Sequence, residues 1–221
     1  MEGVGIMSAL SVSQPLYQQA YETIKKSILS GQLGPGSKLV TTRLAEQYQI
    51  SRTPLREALR QLQVEGLLVL KQSHLEVVTL DKNDFAELSQ CRLVLEREII
   101  SYIVEGIKDE QISEVEAVIE EAEKACEEQE ALRLLELNSQ FHRMLYEVCS
   151  NKRLVQLLDQ VRSLLLIYRA NTIINQHENK EILAEHKDLL EVIKKRDYEE
   201  ALASVEKHLE NDMKRGESVI E

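Results

Sequence analysis

The chain has 221 residues, 43% of them hydrophobic, which is enough to build a core and excludes a disordered acidic tail. No apolar run reaches the about 18 residues of a membrane span. The N-terminus MEGVGIMSAL has no basic stretch ahead of an apolar one, so the expectation is a cytoplasmic protein with no membrane partner. With 27 basic and 38 acidic residues the net charge is −11, which as a whole-chain figure argues against nucleic acid.

That figure hides a division. Residues 1–80 carry eight basic and six acidic groups, a balance of +2, and the remaining 19 and 32 leave −13 on residues 81–221. All three prolines and six of the eight glycines also precede residue 80. The first part is therefore built of short, punctuated elements and the second of long helices. The expected divisions are a tail at 1–14, a small unit at 15–80 and an all-helical unit at 81–221. Cys91, Cys126 and Cys149 have no CxxC spacing, so neither a disulfide framework nor a cysteine zinc site is expected.

In chain order, Pro15 opens a helix whose Ala20, Tyr21, Ile24 and Ile28 share a face, and Gly31 ends it. GQLGPGSKL is a turn that no helix crosses. Thr41 and Thr42 offer an N-cap for a short helix over RLAEQY. A further helix is expected over 52–64, capped by Ser51, or by Thr53 with Pro54 as its first residue, and stopped by Gly66. LLVL and LEVV flank a polar KQSH tip and read as a β-hairpin. Beyond Asp81 the period is helical, with helices expected near 82–105, 109–127, 130–148, 152–174, 178–195 and 197–215.

Helix, short helix, turn, helix and hairpin is the order of a winged helix-turn-helix. The fold class is mainly α, with that unit followed by an antiparallel helical bundle. In SRTPLREALRQLQVEG, Leu55, Leu59 and Leu62 form one stripe and Arg52, Arg56 and Arg60 another. A helix buried on one side with guanidinium groups on the other suits the DNA major groove, where arginine bonds a guanine edge or clamps phosphates. The alternative for any one arginine is a surface pair with Glu57. Lys71 and His74 at the hairpin tip are candidate wing contacts, or simply solvated.

These segments carry a resemblance. IKKSILSGQLGPGSKL, LAEQYQISRTPLREALRQL and EGLL resemble the GntR-type winged-helix regulators, in the FadR-like branch with a helical FCD effector-binding domain. The resemblance implies DNA contacts by Arg52, Thr53 and Arg56, with Arg43 on the preceding helix. The sequence departs from the family in having Thr42 before Arg43 and no glycine at the wing tip.

The acidic half holds four of the five histidines. His142 shares a stripe with Asn138 at i,i−4, while His186 and His208 lie on the apolar faces of two other helices. Three imidazoles and an amide oxygen make an N₃O set suited to Zn²⁺, Ni²⁺ or Mn²⁺, against the alternative of separately bonded core histidines. The FCD resemblance implies the same four positions as metal ligands, with Asn138 where an aspartate is commoner. His177 matches no family position and is expected in a loop. Arg92 in CRLVLERE resembles the family's inward-facing arginine and would pair with an effector carboxylate, unless it is spent on Glu96.

The competing class is a metal-dependent enzyme. Glu-x-x-His, HExxH, GxSxG and P-loop patterns are absent from the sequence. A protein-interaction bundle is the third reading. The expected function is a homodimeric regulator that reads a pseudo-palindromic operator and responds to a small, organic-acid-like effector.

Overall fold

The computed structural model describes residues 14–169 and 176–217. The first unit comprises α1 (Leu16–Leu29), β1 (Lys38–Leu39), α2 (Thr41–Gln47), α3 (Arg52–Val64), β2 (Leu68–Lys71) and β3 (His74–Val77). The expected hairpin forms with Lys71 opposite His74, and a two-residue strand not foreseen in the turn pairs Lys38 with Glu76, giving the antiparallel order β1-β3-β2.

The helix starts differ in detail from expectation. Val40, not a threonine, occupies the N-cap of α2, and Thr41 is already helical. Ser51 holds the N-cap position of α3 without a side-chain bond, and Pro54 is the third helical residue, where no intrahelical donor is required. The stop is as expected. Gly66 adopts φ +79, its N–H donates to the Gln63 carbonyl and that of Leu67 to Leu62, both at 3.0 Å. This double closure needs a left-handed residue, which glycine accepts without a Cβ penalty.

The stripe on α3 does what its spacing demands. Leu55, Ala58, Leu59 and Leu62 are buried against Ile24 and Ile28 of α1, Leu39, Leu44, Leu67, Leu68 and Val77. Burying each leucine is worth about 1.5–3 kcal/mol. One buried member of this cluster comes from far along the chain: Ile167, 1% exposed.

The second unit is a bundle of α4 (Lys82–Gly106), α5 (Asp109–Glu127), α6 (Ala131–Glu147), α7 (Lys152–Arg169), α8 (Gln176–Lys194) and α9 (Tyr198–Glu217). Asp81 and Asp84 bond each other's backbone N–H at 2.9 and 3.0 Å, a capping box that starts α4. α4 packs on α7 and α9, α5 on α6 and α8, and α8 on α9. The core between them is aliphatic, from Ile99, Ile100 and Ile103 through Leu137 and Phe141 to Ile193 and Val205. At the far end of α4, the Arg196 guanidinium donates to the carbonyls of Ile107 (2.8 Å) and Val104 (3.3 Å), satisfying acceptors the helix leaves open. His177 falls within α8 rather than in a loop. Residues 170–174 of the expected fourth bundle helix, and 1–13 of the tail, lie outside the described residues. Among the described residues no helix is long and apolar enough to cross a membrane.

Candidate functional site

Two constellations carry chemistry. On α3, packing the leucine stripe inward leaves Arg52, Thr53, Arg56 and Arg60 exposed, with Arg43 of α2 exposed beside them. None of these arginines has an ion pair with another described residue, so the pairing with Glu57 does not form. The wing differs. Lys71 Nζ lies 3.2 Å and His74 Nε2 2.6 Å from opposite oxygens of Glu76, so both tip side chains are already partnered.

Inside the bundle, α6 presents Asn138 and His142, α8 presents His186 and α9 presents His208. One ligand-type nitrogen of each histidine lies within 4.8 Å of those of the other two. All three rings are at most 3% exposed. Four buried polar atoms have no hydrogen-bond partner here: Asn138 Oδ1 and the Nε2 atoms of His142, His186 and His208. Leaving such an atom unmet costs about 1–3 kcal/mol, so three clustered histidines with such atoms, and a fourth such atom on the residue one helical turn before His142, describe a place for something that bonds them. Burial, with Arg162 next, holds His142 well below the ordinary histidine value, and burial with His208 does the same for His186. Both rings are therefore neutral at physiological pH, with a lone pair to give.

Carboxylate and hydroxyl groups orient two of the rings. His208 Nδ1 donates to Glu185 Oε2 at 2.7 Å, a carboxylate that can only accept, which leaves Nε2 as the ring's free ligand-type nitrogen. Glu185 is gripped by both terminal nitrogens of Arg215 at 2.9 Å and by Asn211 at 2.8 Å. Burial pushes its carboxyl up, but the bonds from His208 and Arg215 outweigh that and bring it to about 2. His142 Nδ1 lies 3.2 Å from the Tyr146 hydroxyl, and that hydroxyl accepts from Arg162 at 2.9 Å. His186 stacks on Phe141 with ring centroids 4.2 Å apart.

Arg92 forms the Glu96 pair that was the alternative from sequence. Its Nε donates to Glu96 at 2.6 Å, and its NH1 donates to Asp212 at 2.8 Å. Its NH2 is buried with no partner. Asp212 Oδ2 in turn lies 3.8 Å from His208 Nε2, which puts Arg92 one carboxylate away from the cluster. A cavity of about 60 Å³ opens on the other side, walled by aliphatic residues of α5, α6 and α8 and reached by Asn138, His186 and Arg215.

Two family models match the chain: bacterial regulatory proteins, gntR family, over residues 16–74, and FCD domain over residues 87–211. The chain belongs to the GntR family, in its FCD-bearing form. The uncharacterized HTH-type transcriptional regulator YdhC of Bacillus subtilis (strain 168) is 31% identical over 209 residues, covering 94% of this chain and 93% of that protein. The HTH-type transcriptional regulator McbR of Escherichia coli (strain K12) is 28% identical over 205 residues, 90% of each. The solved structure of E. coli McbR/YncC shares the fold with TM-score 0.84 at 24% identity, covering 93% of this chain and 99% of that one. This GntR regulator is thus a DNA-binding transcriptional regulator and not an enzyme.

The three histidines singled out from sequence meet in the structure, with Asn138 one helical turn before His142, but what surrounds them was missed. Glu185, Tyr146, Asp212, Arg162 and Arg215 were not singled out. Two had a local signal: Tyr146 is four residues after His142 and Asp212 four after His208, on the same helix faces. Arg162 and Arg215 meet the site only through helix packing.

Proposed function

We propose that this regulator is a homodimeric, cytoplasmic repressor whose affinity for a pseudo-palindromic operator is set by a divalent metal and a small carboxylate held in its bundle. The reading takes residues 15–80 as the DNA-binding unit and 81–221 as the sensing unit, joined to a tail at 1–14. Arg52, Thr53 and Arg56 read the major groove from the start of α3, and Arg43 holds backbone phosphate. Lys71 contributes only by exchanging Glu76 for phosphate. Repression follows the names of two relatives, the transcriptional repressor RspR of E. coli and the gluconate operon transcriptional repressor of Bacillus licheniformis.

The observation that carries the sensing half is the cluster of three buried histidines whose Nε2 atoms have no partner, with the unpartnered Oδ1 of Asn138 one helical turn before His142. Three imidazoles and an amide oxygen suit Zn²⁺, Ni²⁺ or Mn²⁺. When bound, the metal supplies positive charge and open coordination positions for effector oxygens. This chain's own residues then do the rest. Glu185 and Tyr146 orient the His208 and His142 rings, Arg215 lines the cavity, and the unpartnered NH2 of Arg92 is left to meet an acceptor on the effector.

Two measurements test the reading. The His186→Ala, His208→Ala double variant should lose the metal found in the parent by elemental analysis; stoichiometric metal in that variant rejects the site. Arg56→Ala should lose specific operator binding in fluorescence anisotropy while circular dichroism stays unchanged. Undiminished specific binding rejects the assignment of α3.

A further inference from the structure

α7 lies between the histidine cluster and the DNA-binding unit and touches both. On its bundle side, Arg162 donates to the Tyr146 hydroxyl at 2.9 Å and lies 3.5 Å from Glu96. Tyr146 in turn contacts His142 Nδ1 at 3.2 Å, and His142 Nε2 is one of the unpartnered buried nitrogens of the histidine cluster. Leu164 and Ile167 lie three residues apart on one face of α7, turned away from Arg162 by the helical period. Ile167 is sunk in the core that α3 shares with α1 and the strands. Leu164 lies against Gly66: its Cδ2 is 3.7 Å from where a Cβ on that glycine would stand. Gly66 is the residue whose left-handed turn closes the end of α3.

All other members of that core come from residues 20–78, so α7 supplies the only apolar plug from the bundle among the described residues. The ion pair that also crosses between the units, Lys26 with Glu136, has side chains 71% and 48% exposed and is worth little. Between Arg162 and Ile167 the helix advances about 7.5 Å, too short a length to bend appreciably. A displacement of Arg162 is therefore a displacement of Leu164 and Ile167. A close-packed core answers such a shift by moving as a body rather than by yielding.

We propose that α7 is the coupling element of this regulator. Arg162 is a positioning residue that reads the setting of Tyr146 and His142, and Leu164 and Ile167 deliver it to the C-terminal end of α3. The proposal rests on the histidine cluster being the metal site. The partner chemistry it addresses is a divalent cation, and zinc is the probe.

Hydrogen–deuterium exchange on the full-length protein, with and without saturating zinc, tests it. In the parent, zinc should slow exchange in residues 138–146 and also change it in residues 62–68. Arg162→Gln and Leu164→Ala should each keep stoichiometric zinc and the response at 138–146, while the response at 62–68 falls below half of the parent's. Arg162→Lys, which keeps a donor for the Tyr146 hydroxyl, should restore part of it. Leu164→Ala leaves the Arg92–Glu96–Arg162 charges intact, so it decides the matter if Arg162→Gln fails to fold. A full response at 62–68 in Leu164→Ala, or none there in zinc-loaded parent, overturns the coupling while leaving the metal site standing. Failure of the parent to bind zinc overturns both.

Discussion

Asn138 shows how one atom changes what a site can do. Its Oδ1 is buried without a hydrogen-bond partner one helical turn before His142, where an aspartate would add a full negative charge. Asn138→Asp should therefore tighten zinc by about tenfold or more in chelator competition, the order expected when an anionic oxygen replaces a neutral one beside a divalent ion. Unchanged or weaker affinity would mean that this side chain does not reach the metal. The same substitution should lower the stability of the metal-free protein, because a carboxylate then takes a buried place with no donor. Gly216 on α9 makes a different single-atom argument. A Cβ there would stand 2.1 Å from Phe85 Cζ, with two more ring atoms within 2.9 Å. Phe85 is buried at the start of α4, so the ring cannot simply swing into solvent. Gly216→Ala should cost about 1–3 kcal/mol from overpacking, outweighing the better helix propensity of alanine. A raised melting temperature would show that α4 and α9 separate more readily than their packing implies.

Between elements, the join of α1 to the end of α3 is held by polar groups as well as by the core. Glu65, the C-cap of α3, accepts from Lys25 at 2.7 Å and from the Tyr21 hydroxyl at 2.7 Å. Burial pushes the Glu65 carboxyl up, but the bonds from Lys25 and Tyr21 outweigh it and hold the group below its ordinary value. The folded state thus binds this proton less readily than the unfolded one. The resulting stability is fully present above the unfolded carboxylate pKa of about 4.3 and is lost as pH falls through the depressed folded value. The melting-temperature gap between the parent and Glu65→Gln should be constant from pH 6 to 8 and shrink below about pH 4; a gap independent of pH would place the cost in packing. This scale also shows how far the sequence could be read. The leucine and arginine stripes on α3, and the i,i+4 placing of Asn138 and His142, are local periodicities and were legible. The caps at Val40 and Ser51, the two-residue β1, and the approach of Arg162 to Tyr146 and of Ile167 to the α3 core depend on backbone settings and contacts between distant elements. A period along one helix carries no information about which neighbour it meets.

For the whole molecule, charge placement decides how DNA is held. The DNA-binding unit is only +2, yet Arg43, Arg52, Arg56 and Arg60 are exposed and spend none of their charge on described carboxylates. The −13 is carried by residues 81–221, outside the unit that holds α3, and charges more than the Debye length of about 8 Å from a duplex are largely screened at physiological salt. It repels DNA from the bundle without cancelling those arginines. In the proposed homodimer eight such groups would meet the duplex. Each phosphate neutralised contributes about −0.9 to the slope of log affinity against log salt, which caps the slope near −7. Arginines engaged with base edges release fewer counterions, so the expected slope lies between about −4 and −7. On the proposed docking, Arg60, two turns into α3 from Arg52, would meet phosphate rather than a base. Arg60→Ala should make the slope shallower by about 2, one contact per protomer, and weaken specific and non-specific duplexes alike. Arg56→Ala should instead narrow the gap between the two, because it removes a base contact near the helix start. Anisotropy titrations of both variants over a range of salt concentrations separate these outcomes. A slope unmoved by Arg60→Ala would mean that the phosphates are held elsewhere, with the wing, once Lys71 is freed from Glu76, as the remaining cationic edge.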